Sequence, residues 1–505
     1  MVVSARDLNA AIAVTRFGLG ARPGEIEAVA HDPRGWLEGQ IRSTGADQPV
    51  GVPFKLPPQV RSPSTAEVGM SGIAVSASGG GMTAADPPAA PFVADFAPDR
   101  PLPTMQAAFR AFGDYQQQRK ADKGDPAARR LAVAPILIGA GEEILARVQL
   151  AATTPAGFRE RWTLFWANHF TMAAKGLPET AAVGPFEREA IRPHVFGRFE
   201  DLLIASSGHP GMLLYLDQAQ SIGPNSQAGF RRGGKAGLNE NLGREILELH
   251  TVGADAGYVQ ADVTEFARAL TGWSMGGANG PADQQGAFVY RANFHEPGPR
   301  TIMGKTYADG GRDQALKVLR DLAADPRTAE RLARKIAAHF VADDPPPALV
   351  ERLRGAYLRT RGDLAEMAMV LIASSEAWNP APRKFKTPYE YLVSSYRAAG
   401  AVPRDPNKEI VQPLQALGMR PFSAPQPNGW SDVGVDWAAP DAIVKRLTWA
   451  QGFADAHTPQ STPSDEARLV LGARLTDKTL MTVSRAETRS EAFAILLMSP
   501  EFQRR

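Results

Sequence analysis

Two polar residues interrupt apolar helix faces in this chain, and their types are those that move protons. In Asn239 to Trp273, NENLGREILELHTVGADAGYVQADVTEFARALTGW, a helical period of about 100° per residue gathers Leu238, Leu242, Ile246, Leu249 and Val252 on one face. Glu245 falls inside that face, with Asn241 and Glu248 along its edge. A carboxylate placed there loses water, which raises its pKa unless a cation or donor compensates. The second residue is His169, in FRERWTLFWANHFTMA, where Phe158, Trp162, Phe165, Trp166 and Phe170 form the apolar face. A neutral imidazole beside a desolvated carboxylate makes an acid–base pair. The same groups, His169 with Glu245, Glu248 and water, would suit a divalent metal that prefers oxygen ligands. Haem ligation by His169 is a lesser variant, since nothing else marks a haem pocket. Each residue also has a structural alternative. His169 fits a hydrogen-bonded core histidine, and Glu245 fits a carboxylate tied to an arginine or a backbone N–H.

The elements that must position these groups are helices. Glu240 and Arg244 stand at i,i+4 and can pair with each other. His250-Thr251-Val252 precedes Gly253, the residue expected to stop the helix in a left-handed conformation. The candidate site therefore comprises His169, Glu245, Glu248, Asn241, Arg244 and His250, with Arg244 or Arg268 compensating charge. Asp262-Val263-Thr264-Glu265 predicts a capped helix start, with Phe266, Ala267 and Leu270 buried. The helix at Pro155–Ala173 carries His169, and Ala329–Val341 repeats the pattern with His339 beside Leu332, Ile336 and Phe340. Thr387-Pro388-Tyr389-Glu390 combines a capping box with proline at the first helical position, and Gly400 ends that helix. Residues 286–307 alternate, turn at Pro297-Gly298-Pro299 and predict one β-hairpin. His295 and Glu296 then sit at the turn, exposed unless the hairpin folds onto the helices. Residues 45–103 are rich in Gly, Ala, Ser and Pro without period, as in a flexible loop. Residues 221–237 form a basic, glycine-rich loop lacking the spacing of a nucleotide cradle.

Composition narrows the classes. Net charge is +2 from 56 basic and 54 acidic residues, so bulk charge implies no nucleic-acid surface. The chain has no cysteine, which removes disulfides, thiolate metal sites, iron–sulfur clusters and cysteine nucleophiles together. No run of about 18 apolar residues predicts a membrane span. The N-terminal MVVSARDLNAAIAVTRFGLG predicts a short amphipathic helix in place of a signal peptide, which points to the cytoplasm unless a partner carries the chain out. No nucleophile elbow, zinc-protease helix or dinucleotide fingerprint is present. The 505 residues admit two or three domains, or one large helical domain.

Several blocks carry a resemblance. They are RFGLGARPGE at 16–25, FWANHF at 165–170, HPGMLLYLD at 209–217, NENLGREILELHTVG at 239–253 and YVQADVTEFARALTGW at 258–273. HEPGPRTIMG at 295–304, RKIAAHFVADDPP at 334–346, PQPNGWSD at 425–432 and LMSPEFQ at 497–503 continue the series. The chain resembles the bacterial family called domain of unknown function 1800. Leu242-Gly243 and Gln218 depart mildly from its pattern. The resemblance implies one mainly α domain over residues 1–505, with a small hairpin and the 45–103 loop as excursions. It carries no settled activity. It does imply a genomic neighbour with an alkaline-phosphatase-like architecture and an export signal. Two readings follow: an acid–base or metal-dependent enzyme, or a helical scaffold that binds and escorts such a partner.

Overall fold

The computed structural model describes residues 4–42, 102–121, 125–233, 237–278, 280–381 and 384–505. Residues 45–101 of the loop expected at 45–103 lie outside the described residues, as do 234–236 of the basic loop. The fold is mainly α, with two small antiparallel two-stranded sheets among the described residues.

Among the described residues two large hydrophobic cores organise the helices, with a small third cluster of Ala10, Val14, Ala21 and Val29 beside them. The larger runs from Ile12 to Trp378 and is built around the helix Gly157–His169. Phe158, Trp162, Phe165, Trp166 and Phe170 are all buried there, as their spacing predicts. That helix buries its polar side as well, since Glu160 and Arg161 are 1% exposed. A helix enclosed all round belongs at the centre of a large domain. The smaller core gathers Leu392, Tyr396, Phe453, Leu471 and Leu496 around the helix Pro388–Ala399. That helix has the expected capping box at Thr387 and Glu390, and Gly400 closes it at φ 60°.

Buried charges join the two cores. The RFGLG turn offers its carbonyls inward: Gly18 accepts from Arg161 Nε at 2.7 Å and Gly20 accepts from Arg397 Nε at 2.7 Å. Arg397 also donates twice to Glu25, at 3.0 and 2.8 Å. Gly20 has φ 104°, and a Cβ there would lie 2.7 Å from the Cβ of Ser394. Glycine is therefore required both for conformation and for the close approach.

The β-structure differs from the expected single hairpin. Phe288–Tyr290 pairs with Trp273–Met275 of the ALTGW segment. The hairpin proper is Arg300–Ile302 with Lys305–Tyr307, turning at Met303 and Gly304 with φ 49° and 79°. Pro297-Gly298-Pro299 is the connection between the two sheets, because Trp273, fully buried, draws the 288–290 strand to itself. His295 and Glu296 are consequently buried. His295 Nδ1–H donates to the Thr271 carbonyl at 2.9 Å, and Glu296 accepts from the backbone and side chain of Asn225 at 2.7 and 2.6 Å.

Candidate functional site

His169 closes the helix Gly157–His169 and is 2% exposed. Its Nε2–H donates to the His250 carbonyl at 3.1 Å, and its Nδ1 lone pair accepts from Lys335 Nζ at 3.0 Å. A carbonyl can only accept, so this pairing sets the tautomer. Burial first, then the charge of Lys335, holds the imidazole well below its ordinary range, and the ring is neutral. With both nitrogens engaged, His169 has no lone pair free for a haem or metal ion.

The candidate residues of the second helix divide. His250 is buried, its ring centroid 6.1 Å from that of His169, and burial pushes its pKa down to about 3. Glu245 and Glu248 are only half-buried, and Asn241 is exposed. Glu245 is raised by burial and by Glu248, with Arg244 and Lys175 opposing. Glu248 accepts from the Tyr258 hydroxyl at 3.3 Å. Arg244 pairs with Glu240 at 3.2 Å, as the i,i+4 spacing predicts, and with Gln260 at 2.9 Å. The expected inward position of Glu245 is corrected by local geometry. The α-helix covers only Asn241–Glu245, and Ile246–His250 is a π-helical turn. A wider turn breaks the 100° register, so Leu247 and His250 go inward where an unbroken period places Leu249. Gly253 has the expected left-handed φ of 97°, but the helix ends earlier, at His250 with Thr251 as its cap, and the Gly253 N–H donates back to the Leu247 carbonyl at 2.9 Å. The ligand set His169, Glu245 and Glu248 does not assemble, and among the described residues no three His, Asp or Glu side chains are grouped for a metal.

The groups that do converge on His169 come from elsewhere. Arg331, Lys335 and His339 stand four residues apart along one face of the helix Pro326–Phe340. His339 Nδ1–H donates to Asp432, with both carboxylate oxygens at 2.9 Å, and its Nε2 is buried with no partner among the described residues. Burial lowers the His339 pKa against the pull of Asp432, so the ring is neutral with Nε2 as its free base. Burial would raise Asp432, but His339, Lys384 and Arg505 outweigh it and keep the carboxylate ionised. Lys335 is brought down to about 8, by burial and then by Arg331, with Asp432 opposing.

Asp432 reaches His339 on the PQPNGWSD loop. Asn168 fastens that loop, accepting from Trp430 N at 2.8 Å and donating to its carbonyl at 2.9 Å. Beneath the loop lies a cavity of about 490 Å³ lined by His169, Lys335, Asn168, Asn428, Asp432, Trp430 and Trp437 among others. A smaller cavity of about 120 Å³ shares Asn168, Trp430, Ser431 and Asp432 as its wall and is reached by His339, Arg161 and Glu390. Gly429 has φ 84°, and a Cβ there would lie 2.5 Å from the Asn168 carbonyl oxygen. Gly429→Ala should therefore cost about 1–3 kcal/mol through backbone strain and the clash. Thermal denaturation checks this, and a loss below about 0.5 kcal/mol would mean the loop is not held against Asn168.

The buried imidazoles carry a pH consequence. His169 and His250 have folded pKa values below the ordinary 6.5, so the unfolded chain binds more protons between the two values. Their contribution is complete above about pH 6.5 and is lost as pH falls, at up to about 1.4 kcal/mol per unit for each ring. In His250→Gln the fall in stability from pH 7 to pH 5 should be shallower than in the native chain. Urea unfolding at both pH values measures it, and parallel losses would remove this account.

Comparison with known proteins adds one match. The family model described as "Protein of unknown function (DUF1800)" matches residues 12–504. No curated protein and no solved structure matches the chain.

Proposed function

The chain belongs to the DUF1800 family, and from that premise we propose that it is an acid–base enzyme acting on a small molecule beneath the 425–432 loop. One observation carries the reading. Asp432 grips Nδ1 of His339 with both oxygens at 2.9 Å, leaving Nε2 buried and, among the described residues, unpartnered. An oriented neutral imidazole of this kind is a general base, and an anchored carboxylate stabilises the imidazolium formed when the base takes a proton. His339 lines the smaller cavity, and the cavity of about 490 Å³ that shares Trp430 and Asp432 with it has a ligand's size and joins aromatic walls to a few polar groups. His169 orients Lys335 and has both ring nitrogens engaged, so its part is positioning.

The test works while the substrate is still unidentified. A mixed extract of cellular small molecules is incubated with native protein and with His339→Gln, and its composition is followed by mass spectrometry. Consumption of a compound by the native chain alone supports the reading. Equal consumption by both, or none by either, removes it.

A partner-binding role has a separate observation in its favour. Val435, Val444 and Leu447 are 72%, 62% and 54% exposed on the segment that follows the loop. Apolar side chains left in water favour a protein contact. Co-purification with the phosphatase-like neighbour, lost in Val435→Asp and Leu447→Asp, would support that role, and no co-purification would end it.

A further inference from the structure

We infer that Lys335 captures carbonyl compounds, its amine condensing with the aldehyde or ketone group of a small substrate in the cavity beneath the 425–432 loop. The inference deepens the acid–base reading by naming a substrate class for the same site.

The geometry supports it first. Lys335 lines the cavity of about 490 Å³, and its hydrogen-bond partner is a neutral imidazole, His169 Nδ1, at 3.0 Å. Among the described residues no carboxylate forms an ion pair with it, although Lys384, also beside the loop, pairs with Asp343. The difference matters chemically. A carboxylate partner would hold the side chain as an ammonium by its charge, whereas an uncharged imidazole lone pair can accept from a free amine as well as from an ammonium. The His169 lone pair cannot turn away, because the opposite nitrogen is committed to the His250 carbonyl at 3.1 Å. Lys335 is thus held at the cavity wall by a contact that survives its deprotonation.

Charge acts in the same direction. The groups facing Lys335 are Arg331 on its own helix, His169, His250 and, across the cavity, Asp432. The balance brings the amine down to about 8, which leaves about a tenth as free base at pH 7. An ordinary lysine near 10.4 has roughly 0.04%. Lysines tuned in this way by burial and a neighbouring cation are the ones suited to imine chemistry.

The step balances. The nitrogen lone pair attacks the carbonyl carbon, and the carbonyl oxygen takes up a proton to give a carbinolamine. That oxygen leaves as water with a second proton, and the nitrogen gives up its protons as the C=N bond forms. The net change is amine plus carbonyl to imine plus water, with no oxidant or reductant required. His339, one helical turn beyond Lys335 on the same helix, is anchored by Asp432, which lines the same cavity as Lys335, and is placed to carry these protons.

The experiment uses the full chain with propionaldehyde and sodium cyanoborohydride at pH 7, followed by peptide mapping. Cyanoborohydride reduces the imine and leaves a propyl mark on the lysine that formed it. Lys335 should be marked at least about tenfold faster than the exposed Lys305, Lys445 or Lys478, and Lys335→Arg should lose only that fast phase. Marking spread evenly over the surface lysines, with Lys335 unmarked or slow, overturns the inference. That result is read on the native chain and does not depend on a variant folding. The two readings also fail separately. Fast marking of Lys335 with turnover unaffected in His339→Gln would remove the acid–base role alone. Turnover lost in His339→Gln with Lys335 unmarked would remove carbonyl capture alone.

Discussion

Arg192→Met is expected to lower stability by about 3–5 kcal/mol, the largest loss from any single side chain around the site. Arg192 grips Glu160 with two bonds, at 2.7 and 2.8 Å, and Glu187 with two more, at 2.7 and 3.1 Å. The three side chains are 4%, 1% and 7% exposed. Burial would lower the Arg192 pKa, but Glu160 and then Glu187 hold the guanidinium charged. Removing it leaves Glu187 with Arg147, at 2.8 Å, but leaves Glu160 without an ion-pair partner among the described residues. Breaking a buried pair from one side costs more than removing both, because the survivor is a desolvated charge. Urea unfolding at pH 7 should show the full loss in Arg192→Met and a smaller one in the Glu160→Gln/Arg192→Met double variant. A loss below about 1 kcal/mol, or a double variant worse than the single, would mean that water reaches Glu160. The consequence extends to the site, since Arg147 and Glu187 wall the smaller cavity that His339 also lines.

What the sequence discloses depends on whether the deciding contact is local. The helix Gly157–His169 is legible because five aromatic residues at helical spacing demand burial, and His169 is carried in with them. The capping box at Thr387 and Glu390 is equally local, since both of its hydrogen bonds close within three residues. Glu245 is misplaced by helical spacing because the following π turn, Ile246–His250, changes the register without a distinctive residue. The start of the Gln260–Leu270 helix shifts for a related reason. Asp262 does cap, but it accepts from Val259 N at 2.8 Å as the third helical residue, so the helix begins earlier than the expected start. His339 shows in the sequence as a histidine on an apolar face. Its partner Asp432 stands 93 residues away, and no pattern of spacing links the two. Lys335 gives even less signal, as a lysine among arginines on an amphipathic helix ordinarily faces solvent. What marks it is a hydrogen bond to a residue 166 positions earlier. The PQPNGWSD block is visible as a motif, but only the approach of Gly429 to Asn168 explains why a glycine stands there.

Asp432→Asn should leave the fold intact and lower turnover by about 10²–10⁴-fold, the range of general-base catalysis. The asparagine can offer its NH₂ to Nδ1 of His339 where the carboxylate accepted. The ring then carries its proton on Nε2, and the base is lost through the wrong tautomer. His339→Gln should fall by a similar factor with no residual pH dependence from this group. The pH profile separates a catalytic pair from a structural one. His339 must be neutral to act, and burial holds its pKa below the ordinary 6.5, so the acid limb of kcat/KM should lie below about pH 6.5. Asp432 opposes that lowering, because its charge favours the imidazolium. Without the charge, the folded His339 resists protonation further, and the acid limb of the residual activity in Asp432→Asn should move to lower pH. A purely structural Asp432 would reduce the amount of folded enzyme and leave the limb in place. Turnover of the compound found in the extract, measured from pH 5 to pH 8 on protein shown folded by circular dichroism, decides the matter. A limb that stays, or moves upward, would show that the His339–Asp432 pair does not carry the proton.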